Sequence, residues 1–199
     1  MRNVFLAVLI MVGSVSCIGK ADEKLTSVGQ KSPANTIEFQ GQQLRLAFVA
    51  ESPDPKDGQA INEYVPVGES LDKWTQLIGV YHYPHLEDSK AIVGQMVKAL
   101  NASNPLARYQ IHASQDGKRI MLDFITWETE KGITEFNVFI FQKHPQGTGL
   151  IAQQYALRAY GQAEGLKFME ELRDTRTKSL EAVGNFTFPN ITRDTKLVQ

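Results

Sequence analysis

Tyr109-Gln-Ile-His-Ala-Ser-Gln-Asp-Gly-Lys-Arg-Ile-Met-Leu-Asp-Phe-Ile-Thr-Trp127 decides the fold. Asp116-Gly117 accepts positive φ between two runs rich in β-forming residues, so the stretch predicts a hairpin with a two-residue turn. In the second arm Ile120, Leu122 and Phe124 share one face. Met121, Asp123, Ile125 and Trp127 share the other. Glu128 to Gly132 reverses the chain into a third strand, Ile133 to Gln142, where Phe136, Val138 and Ile140 alternate with Asn137, Phe139 and Phe141. Pro145, Gly147 and Gly149 turn it again into Leu150 to Tyr160. Strands joined by such short reversals form an antiparallel meander, and apolar residues on both faces require cover on both sides.

The cover comes from two helical stretches. After Asp88, a good N-cap, Ile92, Val93, Met96, Val97 and Leu100 recur at helical spacing up to the break at Pro105. After the meander, Leu166, Met169, Leu172, Arg176, Leu180 and Val183 lie near one stripe. Upstream, Gln43 to Ala50, Ala60 to Val65 and Leu77 to Tyr83 read as strands, separated by Pro53, Pro55, Asp57-Gly58, Pro66 and Gly68. The expectation is a single α+β domain over residues 38–184. It is an α/β/α sandwich with six or seven mostly antiparallel strands and two main helices. The order strand–strand–strand–helix–meander–helix over residues 42–183 resembles the Mog1/PsbP-like architecture. That resemblance implies a binding or accessory module. Glu63-Tyr-Val-Pro-Val-Gly-Glu-Ser-Leu-Asp-Lys-Trp-Thr75 is similar to a segment of small exported bacterial proteins of unknown role.

The N-terminus has the form of a bacterial secretory signal: Arg2, an apolar run from Val4 to Val12, then small residues to Cys17. Cleavage at Gly19-Lys20-Ala21 would leave a chain starting at Asp22. Val15-Ser16-Cys17 offers the alternative of a lipid anchor on Cys17, although Ser14 occupies the place where a lipobox carries a larger apolar residue. Residues 22–37 are polar and read as a tether, and residues 185–199 as an extended tail docking through Phe186 and Phe188. The only cysteine is Cys17, so the domain holds no thiol chemistry. Loss of residues 1–21 removes Arg2 and Lys20 from 21 basic residues and nothing from 22 acidic ones, which leaves a net charge of about −3. With no basic run, a nucleic-acid footprint is absent.

Three clusters can carry chemistry. Tyr81-His-Tyr-Pro-His-Leu-Glu-Asp88 offers His82 and His85 beside carboxylates. Residues three apart in a strand diverge, however, and a metal site would need a distant ligand such as His112 or His144. Solvent-facing imidazoles at a strand end are the preferred reading. Tyr64, Trp74, Tyr81 and Tyr83 can form an aromatic patch rimmed by Glu69 and Asp72, or Trp74 can plug onto the sheet behind a turn capped by Ser70. Asp123, opposite the neighbourhood of Glu135 or Asn137, is a carboxylate among apolar neighbours. Such a group can serve as an acid or base, or mark where a sheet face reaches water, and Trp127 on its face suits a partner surface. No nucleophile elbow, phosphate-cradling loop, dinucleotide fingerprint or zincin motif occurs, and no cofactor is implied.

The leading expectation is an exported, non-catalytic module, periplasmic or cell-surface. It binds an envelope protein, or an apolar ligand, through a groove on the sheet. The alternatives are a metal-assisted or acid–base hydrolase using His82, His85 and Asp123, and a lipid-anchored envelope-assembly factor. The residues expected to contact a ligand or partner are Tyr64, Glu69, Trp74, Tyr81, His82, Tyr83, His85 and Trp127.

Overall fold

The computed structural model describes residues 35–52, 54 and 57–198. The expected leader, Cys17 and most of the expected tether lie outside them. Strands β1 (Thr36–Phe39), β2 (Gln42–Glu51), β3 (Ala60–Pro66) and β4 (Gln76–Tyr83) precede helix α1 (Ser89–Ser103). Strands β5 (Arg108–Ala113), β6 (Arg119–Glu128), β7 (Ile133–Lys143) and β8 (Leu150–Tyr160) precede helix α2 (Gln162–Asn185). The strands form one sheet in the order β1-β2-β3-β4-β8-β7-β6-β5, every adjacent pair antiparallel. Two four-stranded meanders are thus fused where β4 pairs with β8.

The sheet has eight strands, more than the six or seven expected. The extra one is β1, four residues long and taking in the last part of the stretch read as a tether. Gln40-Gly41 turns it onto β2, both residues having positive φ (51° and 77°). The turn after β5 also differs from expectation. Ser114 N–H donates to the Arg119 carbonyl, so Gln115 to Lys118 make a four-residue loop instead of a two-residue turn. Of the described non-glycine residues only Gln40 has positive φ, and a two-residue turn of the primed kind would need it at Asp116. Instead, the Asp116 carboxylate accepts from Ser114 Oγ and Lys118 N–H.

The two helices lie on opposite faces. Asp88 caps α1 by accepting from the Lys90 and Ala91 amides. Ile92, Val93, Met96 and Leu100 of α1 then pack on Leu122, Phe124, Phe139 and Phe141. Leu172 and Val183 of α2 pack on Phe136, Val138 and Ile140. Even and odd residues of β7 therefore belong to different cores, as period-2 geometry demands. The stripe of α2 is shifted from the expected one: Gly165, Leu172, Ser179 and Val183 are buried, while Leu166 is exposed. Beyond α2, Phe186 meets Phe39 and Phe188 edge-on (4.8 and 4.9 Å), which lays the tail along the β1–β2 side of the α2 face.

Candidate functional site

Two arginine–carboxylate pairs lie on opposite faces of the sheet, and their surroundings differ. On the α2 face, Asp123 projects from β6 in the row Gln110–Asp123–Val138. Arg176 stands one turn after Leu172 on α2 and reaches down to it. Its Nε and Nη2 donate to the two carboxylate oxygens, each at 2.8 Å. His112 Nε2 lies 3.2 Å from Oδ2. The Asp123 side chain is 3% exposed, but Arg176 keeps 28% and His112 46%. The pair forms one wall of a cavity of about 260 Å³ between β5, β6 and α2, floored by Phe136 and Leu172 and bordered by Arg108 and Gln110. Glu135 and Asn137 project from the opposite face, so the expectation that they neighbour Asp123 is corrected by the register.

On the α1 face a chain of buried polar groups crosses four strands. The guanidinium of Arg158 on β8 donates to Glu135 Oε2 through Nε and Nη2 (2.8 and 2.6 Å). Asn137 Nδ2 donates to Glu135 Oε1 at 2.9 Å, and Gln154 Nε2 donates to Asn137 Oδ1 at 2.7 Å. The Tyr81 hydroxyl donates to Gln154 Oε1 and lies 3.3 Å from Glu63 Oε1. It has one hydrogen, which serves the closer acceptor, Gln154. Trp74 seals the far end, its ring centroid 3.8 Å from Arg158 Cζ. The Tyr81 ring passes close over Gly79, where a Cβ would stand 2.7 Å from it. Burial, reinforced by the Glu63 charge, pushes the Tyr81 hydroxyl well above its ordinary pKa. Ionisable groups do converge in the interior here, but each is met by a neighbour. Neither the cavity beside Asp123 nor that beside Trp127 reaches them.

The expected aromatic patch is divided by the sheet. Tyr64 on β3 faces α2, whereas Trp74, Tyr81 and Tyr83 face the other way, and all four are buried. Burial raises Tyr64 to about 12 and raises Tyr83 as well. The Tyr64 hydroxyl has no hydrogen-bond partner among the described residues. Trp74 plugs onto Ala47, Val65 and Leu77. Glu69 does not rim a patch: its carboxylate accepts from Thr75 N–H and Oγ1 (2.6 and 2.7 Å), stapling the β3–β4 loop.

His82 and His85 are not brought together with Asp123. His82 sits at the end of β4, its Nε2 2.9 Å from the Thr148 carbonyl and its Nδ1 3.3 Å from Arg193 Nη2. Its ring meets that of His144 at 4.7 Å. Desolvation, with the charge of His82, lowers the pKa of His144. His85 follows the strand and is exposed. Three strand spacings, about 14 Å, separate β4 from β6. Among the described residues no three His, Cys, Asp or Glu side chains are placed to hold a metal ion. Trp127 lies at the other end of β6, beside a cavity of about 440 Å³ formed with Ser103, Asn104 and the β6–β7 turn.

A model of an uncharacterised protein family matches residues 32–188. The chain belongs to that family. The matched span holds every described strand, helices α1 and α2, and the Arg158–Glu135 and Arg176–Asp123 pairs. No curated protein matches the sequence. Among the described residues no helix is long and apolar enough to cross a membrane.

Reading the sequence missed the buried chain of Glu63, Tyr81, Gln154, Asn137, Glu135 and Arg158. A signal for it existed: Glu135 and Asn137 share parity in β7, and Gln154 and Arg158 share parity in β8, inside strands that are otherwise largely apolar.

Proposed function

We propose that the protein is an exported, non-catalytic binding module of the bacterial envelope that acts on a partner protein through the cavity between β5, β6 and α2. The observation that carries this reading is the open cavity itself. It sets a partly exposed guanidinium beside a buried carboxylate, next to a terminal strand whose six residues are all exposed. Its volume, about 260 Å³, falls below the roughly 300–1,000 Å³ of small-molecule pockets. That favours a protein side chain over a free ligand. The likeness of element order to the Mog1/PsbP-like architecture, whose members serve largely as binding or accessory modules, supports the same reading. So does the secretory form of residues 1–21.

The test is a pull-down from an envelope fraction with the mature protein and with Gln110→Trp, which fills the cavity from β5. The proposal expects a partner that the wild type retains and the variant loses. Equal recovery by both, or turnover of a substrate by the wild type with no partner recovered, contradicts it. Mass spectrometry of the mature N-terminus distinguishes release at Asp22 from acylation of Cys17.

A further inference from the structure

Strand β5 is the last in the sheet, and among the described residues no strand pairs with its outer side. Which of its backbone groups point outward follows from the hairpin. Ser114 N–H bonds to Arg119, and the register continues through His112↔Met121, Gln110↔Asp123 and Arg108↔Ile125. Alternate residues of an antiparallel strand share a hydrogen-bonding direction. Tyr109, Ile111 and Ala113 therefore turn their N–H and C=O groups away from β6, each offering one donor and one acceptor to an incoming chain. Native sheets usually protect such an edge by charge, proline, a bulge or cover. Here Tyr109 and Ile111 are 39% and 51% exposed, and the adjoining Leu106 is 62% exposed.

The side chains alternate across this edge. On the α1 side stand Tyr109 and Ile111; on the α2 side stand Arg108, Gln110 and His112. Arg119 and Arg176 join that second side, reaching Gly184 and Asp123 respectively. Three guanidinium groups stand on that side, and the Asp123 carboxylate is already held by Arg176.

Resting on the binding reading above, the geometry points to an extended acidic segment of a partner protein that joins β5 as an additional strand. Its carboxylates fall on the Arg108–Arg176 side, one entering the cavity, and its apolar residues fall on the Tyr109–Ile111 side. A second copy is the poorer occupant. Symmetric antiparallel pairing keeps each face with its like, so it would bring the two copies' arginines together on one side.

The test uses the mature protein and fluorescence anisotropy with capped, labelled peptides of alternating Val and Glu. The controls are alternating Val and Lys, and a scramble of the Val/Glu composition. The Val/Glu peptide should bind at least about tenfold more tightly than either control, and more weakly as salt rises. Ile111→Pro removes an outward N–H without touching the β5–β6 ladder and should abolish binding. Arg108→Glu, an exposed substitution that leaves the fold intact, should weaken it about tenfold. Equal affinity for the Glu and Lys peptides, no binding to any of them, or binding unaffected by both substitutions overturns the proposal. A concentration-dependent dimer lost in Ile111→Pro also overturns it, by placing a second copy on the edge. If the envelope partner is lost with Gln110→Trp while no acidic peptide binds, the acidic chemistry fails and the binding reading stands.

Discussion

Arg158–Glu135 and Arg176–Asp123 are the same chemistry on two sides of one sheet, and they are finished differently. The first is closed. Its side chains are 4% and 11% exposed, the second carboxylate oxygen is taken by Asn137, and Trp74 covers the guanidinium. Nothing can join it without displacing part of the core. The second is open. Asp123 is as deeply buried, but Arg176 lines an open cavity beside an unpaired strand edge, and His112 is itself partly exposed. Burial of a carboxylate therefore does not decide whether a site is closed. The state of its partners does.

Breaking the closed pair should produce the largest effect. Arg158→Met strands Glu135 in the interior, and the loss of stability should be about 3–5 kcal/mol, read from chemical denaturation. The double variant with Glu135→Leu removes both charges and should recover much of that loss. A cost under about 1 kcal/mol for the single variant would mean that water reaches the pair and that the contrast is false. Next, Arg176→Met should cost less, roughly 1–2 kcal/mol, because its guanidinium is already partly hydrated and His112 still contacts Asp123. Equal losses at the two sites would erase the comparison.

A third effect concerns alkali. Tyr64, Tyr81, Tyr83 and Tyr155 all have hydroxyl pKa values raised by burial. The folded state keeps protons that the unfolded chain releases near 10, so their contribution to stability is complete below that pH and is lost above it. Ultraviolet titration should show these four lagging, and Tyr81→Phe should reduce the alkaline loss. The smallest effect is acidic. The folded pKa of His144 is lowered, so its contribution is present above the ordinary histidine value and declines as pH falls through the lowered one. His144→Asn should flatten that slope without altering the Arg158–Glu135 or the Arg176–Asp123 pair.

The meander was legible because β6 and β7 carry long alternating runs on both faces, and no helix satisfies that period. Strand β1 was not legible, since four residues with two apolar ones carry too little pattern to stand apart from a tether. Asp123 was visible as a carboxylate among apolar residues, and Arg176 as a cation in an apolar stripe. Their meeting depends on the packing of α2, which no local pattern fixes. Sequence neighbours misled at Tyr64, Trp74, Tyr81 and Tyr83: strand parity and the Trp74 loop divide them between the two faces. The buried polar chain was hidden for the complementary reason, its members being far apart in sequence and aligned only by register.

Amide hydrogen exchange at β5, with and without the proposed partner, tests the central claim most directly. The N–H groups of Tyr109 and Ile111 should exchange fast in the free protein, while those of Gln110 and His112, bonded to β6, are protected; partner binding should slow the first two. Protection of Tyr109 and Ile111 before any partner is added, or no change when it binds, would contradict the account.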